Sequence, residues 1–341
     1  MWTLAGDVGG TKTLMRLCQA KKHESQPLTA FDAKFESAKF ANFNQLIQAF
    51  ILEASDSLGE QINLIGACFG IAGAVNHNCS TLTNLGWQLD GSEIAEVIGI
   101  PHVHLINDFA AIGHGLLGLG RDDLFTLQEG EPRVRAPIAL IGAGTGLGQA
   151  YLTWDGHEYQ VHNSEGGHTD FAPRTALEIE LLQYLQRKLQ GRVSVERVVS
   201  GRGITNIYEF LCDRSPQSAA TLLTQAIAQQ DPTSGDPAAL IAAARGYDPL
   251  AAQTMTMFME NYGAEAGNLA LKLLPYGGLY IAGGIAAKNL ELFRQGNFLA
   301  AFHAKGRMST LLSQIPVQII ANQEVGLIGA SLYAAKRFSF E

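Results

Sequence analysis

An apolar run, a glycine-rich turn and a second apolar run occur twice in this chain, at 2–19 around GDVGGTKT and at 138–152 around GAGTGLG. The first turn nearly spells the P-loop G-x-x-x-x-G-K-[ST]: Gly6, Lys12 and Thr13 are in place, but Thr11 stands where the last glycine belongs. A P-loop opens a helix of several turns. Here only LMRLCQA separates the turn from the polar cluster KKHESQP, which is room for a strand and too little for such a helix. The pattern predicts a hairpin whose tip presents backbone N–H groups, with Gly9 and Gly10 letting an anion come close to the main chain. A hairpin turn that binds nothing would have the same local sequence. The second turn fails G-x-G-x-x-G from either start, since Gly142 leads to Leu147 and Gly144 to Gln149. Strand-like AYLTWDGHEYQV follows it, not a helix. Two such hairpins, each opening an α/β half, predict an internal duplication.

The rest of the chain fits that class. Apolar runs at 63–70 and 102–108 alternate with helical spacing at 42–58 and 92–99, the latter closed by Gly99 and Pro101. In the second half, Thr175 to Glu178 reads as a capping box for a helix reaching about Leu189. A long helix at 253–274 carries a Met/Phe stripe that core packing explains. The segment 212–250 alternates proline-rich turns with alanine-rich helical pieces and shows no chemistry. A strand, a glycine pair and a helix follow at 277–289, then an amphipathic C-terminal helix. With 341 residues, 47% of them hydrophobic, the chain can fill two domain cores.

Net charge is −8 with no Lys/Arg run, which argues against general binding to nucleic acid or acidic membrane. A phosphate site would have to be built from backbone N–H groups, helix N-termini and a metal ion. The most apolar stretch, 62–75, is too short to span a membrane, and the N-terminus lacks a signal-peptide pattern. Cys18, Cys68, Cys79 and Cys212 form no C-x-x-C pair and read as buried thiols of a reduced, cytoplasmic protein.

Four places could carry chemistry. LIND ends a strand with Asn107 and Asp108, and either residue could simply cap the helix that follows. The other reading is a carboxylate at the C-terminal end of a parallel strand, able to act as a general base toward a hydroxyl. SEGGHTDF gathers Glu165, His168 and Asp170 in one loop. One histidine without cysteines does not suit zinc, whereas carboxylate plus imidazole suits vicinal sugar hydroxyls. A capped surface loop is the plain counterpart. Glu196, in SVERVVSGRGITNIY, sits near a helix start, where the dipole alone would account for it. Gly283-Gly284 allows close packing, or a flat base or ribose against the backbone.

Taken in order, GDVGGTK, LIND, GAGTGLG, SEGGHTDFAP, SVERVVSG and LYIAGGI make the chain resemble the zinc-free bacterial glucokinases of the actin-like hexokinase superfamily. The resemblance implies a duplicated actin-like ATPase (ribonuclease H-like) fold, two α/β domains around a cleft, divided as 1–108 plus 326–341 and 109–325. It implies ATP-dependent phosphorylation of glucose at its 6-hydroxyl with Mg²⁺, the first step of glycolysis, by a cytoplasmic homodimer. Gly6, Asp7, Val8, Gly9, Gly10 and Thr11 match one phosphate turn, Gly144, Thr145 and Gly146 the other, and Gly283 and Gly284 the adenosine motif. Asp7 would hold Mg²⁺ through water. Asp108 matches the catalytic base, and Asn107, Asp108, Glu165, His168 and Glu196 match the glucose-binding set. A sugar touching both groups predicts closure of the halves, hinged after Asp108 and near Gly326.

TDFAPRTALEIE follows His168 where the repressor-type relatives carry a cysteine-rich zinc motif, so no zinc is expected. Lys12 stands where many zinc-free glucokinases have Asn, which keeps polyphosphate open as a donor, alongside another hexose as acceptor. A non-catalytic sugar-sensing regulator would call for a helix-turn-helix ahead of the first turn. A nicotinamide dehydrogenase would call for the G-x-G-x-x-G that neither turn provides.

Overall fold

The computed structural model describes residues 2–19, 27–215, 222–230 and 235–338. The polar cluster at 21–26 and the proline-rich turns at 216–221 and 231–234 fall outside them. The chain is a mixed α/β protein of two compact units, Met1–Asp123 with Asn322–Glu341, and Leu124–Ala321.

The first unit runs β1 (Trp2–Val8), β2 (Lys12–Gln19), β3 (Leu28–Glu36), α1 (Phe43–Leu58) and β4 (Leu64–Ile71). A small antiparallel sheet follows, β5 (Val75–Asn76), β6 (Cys79–Leu82) and β7 (Trp87–Asp90), then α2 (Gly91–Ile98), β8 (Val103–Asn107) and α3 (Asp108–Leu116). The main sheet has the order β3-β2-β1-β4-β8. Its β1–β2 and β2–β3 pairs are antiparallel, and β1–β4 and β4–β8 are parallel. Local signals set the helices. Asn42 caps α1 by accepting from Gln45 N at 3.0 Å, and Asp90 caps α2 through Ser92 N at 2.7 Å.

Helix α1 buries Phe43, Leu46, Ile47 and Phe50 against Leu4, Met15, Leu17 and Phe69 on one face of the sheet. The C-terminal helix, Val325–Phe338, covers the other face, packing Leu327, Ala330 and Ala334 on Ala5 and Cys68. Strands covered on both faces are mostly apolar, as β4 is with LIGACFGI, whereas β1 keeps Thr3 and Asp7 among its apolar residues.

The second unit contains β9 (Leu124–Gln128), β10 (Ile138–Ala143), β11 (Leu147–Trp154), β12 (Tyr159–Ser164), α4 (Ala176–Leu189), α5 (Gly201–Arg214), α6 (Leu222–Ala228), α7 (Pro237–Ala244) and α8 (Pro249–Leu273). It closes with β13 (Gly278–Ala282), α9 (Gly284–Lys288), three short helices between 290 and 312, and β14 (Val317–Ile320). Its sheet runs β12-β11-β10-β13-β14-β9. The first five strands repeat the order and sense of the first unit's sheet: two antiparallel pairs, then two parallel ones. The Met/Phe stripe of α8 is core, with Met255, Phe258 and Met259 at most 1% exposed. The capping box at Thr175 and Glu178 forms in full.

Three sequence expectations change. The break expected after Asp108 falls after Asp123, because α3 packs on the C-terminal helix, Gly115 against Val325 and Gly329 against Ala111. The return expected near Gly326 begins at Asn322, whose Nδ2 donates to Asp123 Oδ1 at 2.9 Å. Nor are all four cysteines buried: Cys18 and Cys68 are, Cys79 is exposed, Cys212 is partly covered, and all four are free.

The C-terminal helix also lies against three histidines. Tyr333 Oη is 2.9 Å from His104 Nδ1, the Tyr333 and His114 rings meet edge-on at 5.0 Å, and Phe338 stacks on His102 at 5.7 Å. Burial, with Lys336 nearby, pushes the His114 imidazole from 6.5 down to about 4, and burial, Arg337 and His102 lower His104. Below pH 6.5 the unfolded chain takes up a proton that folded His114 refuses until about pH 4, so stability present above 6.5 is lost across that window. Allowing for partial exposure, the expected loss is about 2 kcal/mol. The fall in thermal midpoint from pH 6.5 to 4 should be smaller in His114→Gln than in the wild type. Equal falls in the two proteins would show that His114 is protonated freely in the folded state.

Candidate active site

In the first unit, three strands deliver their C-terminal ends side by side. Val8 of β1 pairs with Ile71 of β4, and Ile71 pairs with Asn107 of β8. Two strand spacings, about 10 Å, therefore separate the GDVGGTKT hairpin from Asn107 and Asp108. The hairpin forms as expected, with Val8 opposite Thr13 and Gly9 N–H donating to Lys12 O at 3.1 Å. Ser37, fully buried in a single 3₁₀ turn after β3, braces it from behind. Ser37 N–H donates to Thr11 O at 3.2 Å, and its hydroxyl donates to Gly9 O at 2.8 Å.

Asp7 faces Leu14 across the hairpin and lies under the start of the C-terminal helix; a methyl group added at Gly326 would sit 3.1 Å from Asp7 Oδ2. Burial raises its carboxyl from 3.8 to about 6, partly offset by Lys12. A carboxylate so placed gains from a nearby cation. Among the described residues no three His, Cys, Asp or Glu side chains converge as a metal cage. Magnesium does not require one, since it keeps several waters and takes one or two carboxylates plus phosphate oxygens. Asp7 fits that role.

At the end of β8 the capping role falls to Asn107. Its Oδ1 accepts from Phe109 N at 2.9 Å and Ala110 N at 3.3 Å, and its Nδ2 donates to Gly73 O at 3.0 Å. Asp108 is the first residue of α3, with Oδ1 accepting Phe109 N–H at 2.9 Å. Asn107 thus spends most of its side-chain capacity on the backbone, leaving one amide hydrogen for a ligand.

In the second unit the GAGTGLG turn is tied on several sides. Gly144 N–H donates to Gly146 O at 2.8 Å, Gly201 N–H donates to Gly144 O at 2.8 Å, and Ala143 N–H donates to the buried Tyr262 hydroxyl at 3.1 Å. Beside it runs β13, Ala282 paired with Gly142, and Gly283 follows with φ of 91°. A side chain at Gly283 would strain this left-handed backbone and lie 2.6 Å from Ala143 O, so both conformation and space require glycine.

The helix-dipole account of Glu196 does not hold. It lies in a separate 3₁₀ turn, Val195–Arg197, ahead of α5, which Ser200 caps instead. Its Oε2 accepts Leu147 N–H at 3.0 Å, so the carboxylate is held by the glycine-rich turn and not by the helix dipole.

Glu165 and His168 occupy the loop after β12, more than half exposed, with Oε2 and Nε2 3.7 Å apart. Val195 N–H donates to Thr169 O at 2.9 Å, which joins this loop to the Glu196 turn. The second unit therefore gathers Gly144 to Gly146, Gly283, Glu165, His168 and Glu196 around neighbouring strand ends.

Sequence reasoning missed the residues behind this loop. Gln149, 3% exposed, donates from Nε2 to Glu265 Oε1 at 3.0 Å, and its amide oxygen packs under Gly166, where a side chain would have to displace it. Arg192 Nη1 holds the far side through His168 O at 2.7 Å and Asp170 Oδ1 at 2.9 Å. Only Tyr262 carried a signal, as an aromatic within the α8 stripe.

A profile of the glucokinase family matches residues 4–337. The chain is 52% identical to a glucokinase of Trichormus variabilis, over 98% of each chain. Among solved structures it is similar to a glucokinase from an Antarctic psychrotroph, with TM-score 0.80 and 28% identity over 98% of this chain and 99% of that one. At 20% identity, its fold also matches a ROK family glucokinase from Streptomyces griseus in complex with glucose and AMPPNP, with TM-score 0.65 over 98% and 100% of the two chains.

Proposed function

The chain belongs to the glucokinase family, and from that premise we propose which of its residues carry out the transfer. The reaction is the ATP-dependent phosphorylation of glucose to glucose 6-phosphate, the entry step of glycolysis. The observation that carries the residue assignment is the division of labour at the end of β8. Asn107 accepts from both Phe109 N and Ala110 N as the cap, and Asp108, the first residue of α3, directly follows the carboxyl end of a parallel strand, where such sheets bind ligands.

Asp108 accepts the 6-hydroxyl proton as that oxygen bonds to the γ-phosphorus and the bond to the ADP oxygen breaks. Asn107, Asp108, Glu165, His168 and Glu196 pair with the sugar hydroxyls, carboxylates accepting and Asn107 donating its remaining amide hydrogen. The turns Gly6 to Thr11 and Gly144 to Gly146 take the phosphates, and Gly283 and Gly284 leave room for adenosine. Phosphoryl transfer asks mainly for positioning and charge stabilisation, which explains how an acidic protein performs it. Asp7 would hold Mg²⁺ through water, and the ion would supply positive charge to the phosphates of the donor.

The same proposal takes the protein as a duplicated actin-like ATPase (ribonuclease H-like) fold, supported by the repeated strand order of its two sheets. It also takes the protein as a cytoplasmic homodimer, with the four free thiols supporting a reducing compartment.

A coupled assay of the purified protein against a panel of hexoses with ATP, GTP and polyphosphate tests the reaction. The expected result is turnover with glucose and ATP that stops when Mg²⁺ is chelated. Turnover with polyphosphate and none with ATP would overturn the assignment of the donor.

A further inference from the structure

We propose that Ser37 is a positioning residue for the phosphoryl donor, which deepens the reading of GDVGGTKT as a phosphate turn and rests on it. Ser37 is completely buried and reaches the hairpin by three hydrogen bonds, to Gly9 O at 2.8 Å, Thr11 O at 3.2 Å and Thr13 Oγ1 at 3.0 Å. Chemistry fixes their direction. A carbonyl oxygen only accepts, so the single Ser37 hydroxyl proton goes to Gly9 O, and the Thr13 hydroxyl must donate to Ser37 Oγ.

The consequence lies at the tip. Carbonyl oxygens at Gly9 and Thr11 turned toward a triphosphate would repel it. Ser37 engages both from the side of the fold, with its N–H on one and its O–H on the other. Held that way, the turn offers the donor the Lys12 side chain and the tip amides other than that of Gly9, which bonds Lys12 O, and the oxygens of Gly9 and Thr11 are neutralised behind it. Nothing in Ser37's own surroundings in sequence, FESAKF, marks it for this. It arrives because β3 pairs with β2 in a register that sets Glu36 opposite Lys12, so the next residue turns under the tip.

The test is steady-state kinetics of Ser37→Ala, with ATP and glucose varied separately. KM for ATP should rise about tenfold, the weight of one such hydrogen bond, with KM for glucose within about twofold of the wild type. Ser37→Thr, which keeps the hydroxyl, should recover most of the ATP affinity. Thr13→Val should change KM for ATP much less than Ser37→Ala, because the bond to Gly9 O survives it. If Ser37→Ala does not fold, Ser37→Cys carries the same comparison with a weak donor of similar size. Gly10→Val, which puts a side chain on the turn itself, 3.2 Å from Asn84 Nδ2, separates the two readings. A raised ATP KM in Gly10→Val with none in the Ser37 variants overturns the role of Ser37 alone. Unchanged ATP KM in Gly10→Val overturns the phosphate turn, and the Ser37 inference with it. Equal rises in both KM values for Ser37→Ala mean a general structural role and also overturn it.

Discussion

Asp108→Asn is expected to lower kcat by about 10² to 10⁴, the range a positioned general base contributes. Asparagine has the same shape and can keep the contact with Phe109 N–H at the first turn of α3, so the fold and the cap provided by Asn107 should survive. KM for glucose should move by less than about threefold, since the amide still offers a hydroxyl a hydrogen-bond partner. The loss should therefore appear almost wholly in kcat, the sign of a group used in the transition state more than in binding. A coupled assay at neutral pH, with glucose varied at saturating ATP, measures both constants. Turnover within about threefold of the wild type would mean Asp108 only opens α3, and the base would have to be sought elsewhere.

The second large effect is on the fold. Gly329→Ala should destabilise the first unit by about 3 kcal/mol, the upper end for overpacking, since a packed interface cannot absorb an added methyl group at a backbone contact. In the C-terminal helix, a methyl at Gly329 would overlap Ala111 O and lie 2.6 Å from Gly115 N, both backbone atoms of α3. Neither can rotate away, so the two helices must separate. Unfolding followed by heat should show a midpoint lower by roughly 10 °C. Activity should suffer too, because the same helix places Gly326 over Asp7. Gly246→Ala is the control, a glycine with open space around it. A Gly329→Ala midpoint within about 2 °C of the wild type would show that the helix pair is looser than it stands here.

Much of the fold could be read in advance because its signals are local. Thr175 and Glu178 make a capping box three residues apart, and α2 stops at Gly99. The first hairpin was recoverable from the short run between its glycine turn and a polar cluster, and the second from the strand-like AYLTWDGHEYQV after its turn. Periodicity could not mark where one unit hands over to the other. Helix α3 belongs with the first unit because glycines let the C-terminal helix pack against it, a fact about two segments far apart in the chain.

The candidate site divides along the same line. The sequence by itself determined the residues at strand ends and turns: the glycines of both hairpins, Asn107 and Asp108 after an apolar run, and the carboxylates and imidazole of SEGGHTDF and SVERVV. Which of Asn107 and Asp108 caps α3, and that Glu196 holds Leu147 N–H in place of serving a helix dipole, only the tertiary structure decided. It alone disclosed Ser37 behind Gly9, Tyr262 behind Ala143 and Glu265 behind Gln149, pairs separated by 28, 119 and 116 residues. The physical reason is the range of the forces. Caps and turns are satisfied by neighbours a few residues away and leave a pattern, whereas a buried hydrogen bond between distant segments depends on where folding brings them, and any serine, tyrosine or glutamate could have made it.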